Sequence, residues 1–390
     1  MTPHVTHVTL QPHHNIRHFI DIIKWMYTDS FDTTGLELLD IMHLCLKFKV
    51  KAALSRCASE LTANYMTFHS ASKFIENEIQ MRRENAQADD NEFGGYVSLW
   101  CTAKQFIRDK FKSFTIENWT CKEFVDLSLE ALKIVLSSHE LVVGTENTVF
   151  AAYRHWIHSN FEERKQYAAQ LLPLIRFPLL QHNYLLDVVR TEADLDYPED
   201  AKKTFAKQFI ETYVYHYCSP ERREALREPE IPRRVFVPDL LATKFYWRID
   251  KISQKKELYS DSFFLGGYYL YLLMQRKNMN AKGGGTIGLY MHLKLRESGL
   301  GQSFYLPLAF ELLVRNKVTK KYTSPKGVYA SPFTFLNRAW GYVDILGMTW
   351  EEFLSIHCLY NENDTLYIKA SVAFKDFVPK RQVGPNPTVQ

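Results

Sequence analysis

The stretch Leu172-Pro173-Leu174-Ile175-Arg176-Phe177-Pro178-Leu179-Leu180 stands near the middle of the chain and decides how its first half is interpreted. Two prolines punctuate the run, because proline cannot continue the hydrogen bonding of a regular helix. The apolar residues around them are suited to docking neighbouring helices, and Arg176 is suited to capping free carbonyl groups. We therefore interpret the run as a structural joint inside a helical region.

Helical spacing of apolar residues extends on both sides of this run, from about residue 16 to residue 218. Near the start, Ile16, Ile20 and Ile23 recur at intervals typical of an amphipathic helix. Thr145 is placed to cap the N-terminus of a later helix. A charged insert at 82–92 interrupts the pattern and predicts a mobile loop. These features predict an all-α N-terminal region.

The pattern changes after residue 218. Residues 219–242 hold prolines among alternating charges, a composition that predicts a linker. From residue 243 the apolar residues alternate with polar ones, and Phe263–Leu272 and Leu289–Leu295 each predict a strand. Several such segments, bounded by glycine and proline, predict an all-β antiparallel sandwich over 243–378. The tail at 379–390 is predicted to be unordered.

The bulk composition argues against several classes of partner. A length of 390 residues favours two or three domains. The formal net charge of +4 is too weak to indicate nucleic acid, and the densest basic segment, 202–234, carries interleaved glutamates. The longest apolar stretch, 263–274, is too short to cross a bilayer. We therefore expect neither nucleic acid nor a membrane as a partner.

The cysteines and sequons bear on the compartment. None of the six cysteines has CxxC spacing, which favours buried thiols in a reducing, cytoplasmic environment. Two Asn-x-Thr sequons, at Asn118 and Asn363, leave a secreted protein as the alternative. The polar segment 1–18, which holds five histidines, predicts a solvated loop and no secretory signal.

No segment carries a recognisable catalytic motif. Residues 283–288 (GGGTIG) fit a dinucleotide fingerprint but lead into an alternating strand, where no helix N-terminus faces a phosphate. His155 and His158 share one helix face, yet a zinc site needs further ligands. Neither Glu351-Glu352 nor Asp187 forms a carboxylate pair that spacing can establish. The sequence therefore predicts no catalytic, cofactor or metal site, and no enzyme.

One N-terminal segment resembles a known family. The apolar helix that ends in Tyr27-Thr28-Asp29 and the helical pair that ends in Cys57 resemble the second half of a BTB/POZ domain. The resemblance covers about 16–64, so residues 1–64 are assigned to the C-terminal part of that domain. The N-terminal half of the BTB domain, which supplies its dimer-forming elements, is expected to be absent.

Two later segments resemble further families. Glu146-Asn147-Thr148-Val149-Phe150, Trp156 and the run at 172–180 resemble the BACK domain, which is assigned to 65–218. Phe245–Ile249 and Trp340-Gly341-Tyr342 resemble the TRAF-like (MATH) sandwich, which is assigned to 243–378. The domain order is similar to that of the BTB/POZ domain-containing protein seventeen group.

The resemblance implies a substrate-recruiting adaptor for a cullin-3 type E3 ubiquitin ligase, a homodimer when its BTB domain is complete. Ile20, Ile23 and Tyr27 are its candidate cullin-docking residues, with core packing as the alternative for each. Trp340 and Tyr342 are the candidate residues for binding an unidentified target, with a core role as the alternative for Trp340. The rival function is a BTB–BACK interaction scaffold that works without cullin, as an extracellular protein if the chain is secreted.

Overall fold

The computed structural model describes residues 16–31, 37–84, 94–219, 221–222, 234–279, 284–301 and 303–375. The chain divides into two compact units. The first spans residues 1–113 and 121–141, and the second spans 114–120 and 142–390.

The regular elements of the first unit, among its described residues, are helices. Its helices are α1 (Ile16–Thr28), α2 (Glu37–Lys47), α3 (Lys51–Asn64), α4 (Phe68–Glu84), α5 (Gly94–Lys110), α7 (Lys122–Val125) and α8 (Leu129–Ser137). Helix α6 (Ile116–Thr120) lies between α5 and α7 in the sequence and belongs to the second unit. Asp29 and Lys49 adopt left-handed φ angles of 53° and 55°, so the chain turns after α1 and after α2. The predicted insert at 82–92 begins inside α4, and residues 85–93 lie outside the described ranges.

The core of the first unit lies between α2, α3 and α5. Ile41, Cys45, Leu54 and Cys57 are buried there, as their spacing on two amphipathic helices requires. A hydrogen bond with Cys45, together with burial, raises the pKa of the Cys57 thiol. The Cys57 thiol is therefore protonated at neutral pH, and it packs as a small apolar core residue.

The second unit begins with helices. They are α6, α9 (Glu146–His158), α10 (Phe161–Arg164), α11 (Ala168–Leu171), α12 (His182–Tyr184), α13 (Arg190–Ala193) and α14 (Glu199–Tyr217). The Thr145 side chain accepts a hydrogen bond from the Asn147 backbone N–H, so the predicted cap of α9 is confirmed. The run at 172–180 forms two short 3-10 turns, Leu172–Leu174 and Phe177–Leu179, each with proline near its start, and α14 packs on both.

The second unit also contains strands, most of which follow its helices in the sequence. They are β1 (Val142–Val143), β2 (Val235–Phe236), β3 (Ala242–Asp250), β4 (Glu257–Tyr259), β5 (Phe263–Leu265), β6 (Tyr268–Met279), β7 (Gly284–Leu293), β8 (Tyr305–Leu306), β9 (Leu308–Arg315), β10 (Tyr322–Thr323), β11 (Val328–Tyr329), β12 (Phe333–Thr334), β13 (Ala339–Tyr342) and β14 (Thr365–Phe374). Two short helices, α15 (Leu295–Ser298) and α16 (Trp350–Leu354), lie between them.

Two antiparallel sheets form the sandwich. One has the order β10-β9-β14-β3, with β11 also on β9, and the other has the order β13-β7-β6-β4, with β5 also on β6. Residues of β14 alternate between buried and half-buried along the strand, because successive side chains point to opposite faces of a sheet. The prediction of a helical region followed by an antiparallel sandwich is confirmed. None of the described helices is long and apolar enough to cross a membrane.

One strand prediction was wrong in detail. Phe263–Leu272 was expected to be a single strand, but β5 and β6 form a hairpin that turns at Gly266 and Gly267. Both glycines have positive φ angles, 53° and 101°, which a tight two-residue hairpin turn requires. The pair therefore ends one strand and begins the next.

The second half of the predicted linker also differs from its expectation. Val235 and Phe236 pair in parallel with Val142 and Val143, so β2 is held against the helical residues of the second unit. Arg234 is buried just before it. This segment is packed because its arginine has a buried carboxylate partner, which the composition of 219–242 did not reveal. The domain boundaries themselves stay a prediction.

An aromatic edge on the sandwich and an apolar face on α1

Strand β13 is an edge strand. Among the described residues it is hydrogen-bonded to β7 alone, so one side of its backbone is available to another extended segment. Gly341 lies against β7 so closely that an added Cβ would overlap the Leu289 carbonyl and stand 2.6 Å from the Tyr290 Cα. Only glycine therefore lets this strand pair as closely as it does.

Three aromatic residues, Tyr329, Trp340 and Tyr342, form a cluster that we call the aromatic edge. The ring of Tyr329 lies 5.4 Å from that of Trp340 and 5.8 Å from that of Tyr342, measured between centroids. Beneath them, Phe310 stacks on Tyr329 at 5.3 Å. The cluster is continuous with the sandwich core on one side and half-exposed on the other.

Polar atoms hold the rings of the aromatic edge in place. The Trp340 indole N–H donates to the Pro332 carbonyl at 2.8 Å, so the indole is fixed in one orientation. The Tyr342 hydroxyl donates a long hydrogen bond, 3.5 Å, to the Gly327 carbonyl. Partial burial raises the pKa of Tyr342, so this phenol is neutral at physiological pH and can donate a hydrogen bond. Trp340 is thus half-buried, with a ring that both packs and faces outward.

The other candidate residues lie on α1. Ile20, Ile23 and Tyr27 are all exposed there, and Tyr27 is 87% exposed. Ile16 extends the same apolar face and Met26 is exposed beside it, while Ile22 is buried. The intervals of three and four residues place Ile20, Ile23 and Tyr27 on one stripe of the helix. We call this stripe the α1 face.

The histidines and the aspartate that were weighed as metal-binding or catalytic residues in the sequence have structural partners. His158 is 2.7 Å from a carboxylate oxygen of Glu192, and the ring of His155 packs edge-on against Trp119. The Asp187 carboxylate accepts a hydrogen bond from the Tyr305 backbone N–H. No group of three potential metal ligands occurs within the part of the chain that the structure describes. Among the N-terminal histidines, those at positions 4 to 14 lie outside that part.

The glycine-rich segment and the acidic pair also have structural roles. Strand β7 begins at Gly284, so residues 284–288 already belong to the strand and the prediction of a loop that leads into it was wrong there, while Gly283 lies outside the described residues. Glu351 and Glu352 stand in the first turn of α16, and the Glu352 carboxylate accepts from the Thr349 backbone N–H in a capping box.

Sequence reasoning missed a buried polar network among the helices of the second unit. Glu192, which is 3% exposed, bonds to Arg154 and His158, and it accepts a hydrogen bond from the Tyr197 hydroxyl. Burial alone would raise the pKa of Glu192, but the hydrogen bond and charge of His158 and the charge of Arg154 outweigh it and lower that pKa. Arg154 also donates to the Glu297 carbonyl beside the sandwich, so the network joins helix and sheet.

Family comparisons agree with this architecture. Residues 93–190 match the family described as "BTB And C-terminal Kelch" (BACK), and residues 244–372 match the MATH domain family. Two segments of the chain thus match a helical BACK domain and a MATH sandwich, in that order. This combination is consistent with the architecture of a BTB–BACK protein that carries a MATH domain.

Individual relatives fall into two groups. Two BTB/POZ domain-containing proteins of Arabidopsis thaliana are each 24% identical over 91% of this chain, covering 64% and 69% of their own lengths. The chain thus spans about two thirds of these plant relatives. Kelch-like protein 7 of Gallus gallus is 33% identical over 35% of this chain and 22% of its own length. A solved structure of Notothenia coriiceps TRAF5 matches 36% of this chain and 76% of its own, with 16% identity and a TM-score of 0.26.

Proposed function

We propose that the chain is a substrate-recruiting adaptor for a cullin-3 type E3 ubiquitin ligase. In this proposal the BTB and BACK segments dock the cullin and the MATH sandwich binds the target. The reaction belongs to the recruited ligase, so the chain itself needs no catalytic group. The BACK and MATH matches support the coarser role, because both are modules that bind proteins.

The aromatic edge is the observation that carries the target-binding half of the proposal. An extended peptide can add to the open side of β13 by main-chain hydrogen bonds, and its side chains then meet Trp340 and Tyr342. Rings fixed by packing and hydrogen bonds lose little conformational entropy when they bind. The edge is therefore suited to an extended segment that has an apolar side chain at the position facing Trp340.

We expect peptides selected for binding to this chain to need the aromatic edge. A random twelve-residue peptide library panned against the chain supplies the ligands, and fluorescence anisotropy measures their Kd. Trp340→Ala is expected to weaken the enriched peptides at least tenfold, because the ring is a central anchor. Tyr259→Ala, an exposed tyrosine on β4 at the opposite edge of the same sheet, is the matched control and should leave Kd unchanged. Equal binding by the Trp340 variant would remove the aromatic edge from the proposal.

The α1 face is the proposed cullin-docking surface. An exposed apolar stripe on one helix is typical of a protein interface, because burying it against a partner removes apolar area from water. Tyr27 extends furthest from the helix and has a ring that can fill a pocket on a partner.

We expect the chain to bind the purified N-terminal domain of cullin-3 with micromolar or tighter affinity, measured by calorimetry. Ile20→Asp and Tyr27→Asp should each weaken that binding at least a hundredfold, because a carboxylate would be buried without a partner. Ile210→Asp, at an exposed apolar position of α14, is the control that should not change it. If the folded chain does not bind cullin-3, the ligase mechanism fails and the cullin-free scaffold, intracellular or secreted, becomes the leading proposal.

A further inference from the structure

The outer face of the sheet β10-β9-β14-β3 carries basic and aromatic side chains. Tyr246 is paired with Lys369, and Arg248 is paired with Tyr367, across β3 and β14. Residues directly opposite each other in a ladder point to the same face of a sheet. Tyr322 on β10 is likewise paired with Arg315 on β9. We call this surface the basic sheet face.

Contacts between rings and cations run across the basic sheet face. The Arg315 guanidinium lies over the Tyr367 ring, 3.4 Å from its centroid, and the Lys369 ammonium lies 5.7 Å from the centroid of Tyr246. Tyr246 and Tyr322 meet edge to face at 5.8 Å. Tyr246 is 57% exposed, so much of its ring surface is available to a ligand. Flat groups and positive charges thus alternate on one side of the sheet.

The basic sheet face has an excess of positive charge. Its cations are Lys244, Arg248, Arg315 and Lys369, with Lys320 of the adjoining β9–β10 turn, which is bridged to Glu362. Its carboxylates are Asp250, Glu311 and Glu362. Asp250 is bridged to Arg248, and Glu362 is bridged to Arg315 and Lys320. Five cations therefore stand against three carboxylates on one surface. The whole chain carries a formal net charge of only +4, so this surface holds much of it.

We infer that the basic sheet face binds single-stranded nucleic acid. Bases of a single strand can stack on exposed tyrosine rings and on guanidinium planes, while phosphates pair with the surrounding lysines and arginines. A duplex offers phosphates but hides the faces of its bases, so it uses only the charges. An acidic peptide offers carboxylates but leaves the rings without a stacking partner. The basic sheet face, on which rings and cations alternate, is therefore complementary to single-stranded nucleic acid.

The ligand tested is a fluorescein-labelled twelve-nucleotide oligouridylate, measured by anisotropy with the full chain. We expect a Kd of about 10⁻⁴ to 10⁻⁶ M at physiological salt, the range of sequence-independent binding. Contact with about four phosphates would give a slope of about −3 in a plot of log affinity against log salt. A duplex of the same length is expected to bind at least tenfold more weakly, because its bases cannot stack on the rings.

Variants separate stacking from charge. Tyr246→Ala should weaken binding about tenfold, while Tyr246→Phe, which keeps the ring, should bind as the parent chain does. Lys244→Gln with Lys369→Gln should make the salt slope shallower by about 1.4, the loss of two phosphate contacts. Lys202→Gln with Lys203→Gln, two exposed positions on α14, removes the same charge elsewhere and should change nothing. Thermal melting checks that each variant is folded.

Several outcomes would overturn the inference. These are a Kd above 1 mM, a change of the salt slope in the α14 control pair equal to that in the lysine pair of the basic sheet face, or unchanged binding by Tyr246→Ala. Equal or tighter binding of a twelve-residue polyglutamate would assign the surface to an acidic protein segment, and equal binding of phosphatidylserine vesicles would assign it to a membrane. Either result would replace single-stranded nucleic acid as the ligand.

Discussion

Replacing Gly267 by alanine is expected to lower the free energy of unfolding of the second unit by about 2 to 5 kcal/mol. Gly267 has a φ of 101°, and a residue with a Cβ costs about 1–2 kcal/mol in a left-handed conformation. The added Cβ would also overlap the Tyr184 ring, with its Cζ at 3.0 Å, and overpacking of a core costs about 1–3 kcal/mol. Urea denaturation followed by tryptophan fluorescence measures the loss.

Gly327 supplies the matched control for this change. Its φ is 79°, also left-handed, but an added Cβ would meet no atom within 4 Å. Gly327→Ala should therefore carry only the conformational cost, about 1–2 kcal/mol. Equal losses for the two variants would mean that the Tyr184 ring can move away and that the space around Gly267 is not limiting.

The position of Gly267 matters because helix and sandwich meet there. Tyr184 follows the run at 172–180, and its ring packs edge-on against Tyr268 at 5.4 Å. The Asn147 side-chain amide at the start of α9 donates to the Gly266 carbonyl in the same turn. The turn is therefore a joint between the helical residues of the second unit and the sandwich that carries the aromatic edge. Gly267→Ala should therefore destabilise the helical residues of the second unit and the sandwich together.

The fold could be predicted where one local rule decides the outcome. The change from helical to alternating spacing near residue 243 placed the border between helices and strands, because the two periods differ strongly. Thr145 could be recognised as a cap from its position before an amphipathic segment. The Trp340-Gly341-Tyr342 segment, by contrast, was singled out only through its resemblance to the TRAF-like (MATH) sandwich.

The rest depends on contacts between segments that are distant in sequence. Tyr329 stands in a two-residue strand with no pattern of its own, and it joins the aromatic edge only through the pairing of β11 with β9. The cations of the basic sheet face come from β3, β9, β14 and the β9–β10 turn, so no single stretch of sequence shows their concentration. For the same reason a weak net charge did not reveal a basic surface.

Arg234 illustrates a further limit of sequence reasoning. Its guanidinium forms two hydrogen bonds of 2.9 Å with the Glu146 carboxylate, and both side chains are almost fully buried, at 1% and 3% exposure. The same carboxylate accepts from the Arg176 backbone N–H, and Arg234 also donates to the Leu174 carbonyl. An arginine in a charged, proline-containing segment thus fixes the path of the chain into the sandwich.

Arg234→Met is expected to lower the free energy of unfolding by about 3 to 5 kcal/mol. The substitution leaves the Glu146 carboxylate buried without its bidentate cation, which is the costly way to break a buried ion pair. The result should lie near the lower end, because the positive charge of Arg176 still acts on Glu146. Urea denaturation at pH 7 measures the loss for the single variant.

A double variant distinguishes a lost charge partner from a simple loss of packing. Adding Glu146→Gln to Arg234→Met removes the buried negative charge but keeps an oxygen for the Arg176 backbone N–H, so part of the stability should return. Arg56→Met, which breaks an exposed pair with Glu60 on α3, is the control and should cost about 0.3–0.5 kcal/mol. If the double variant is less stable than Arg234→Met alone, the carboxylate is satisfied without Arg234, and packing of the arginine stem holds the segment in place.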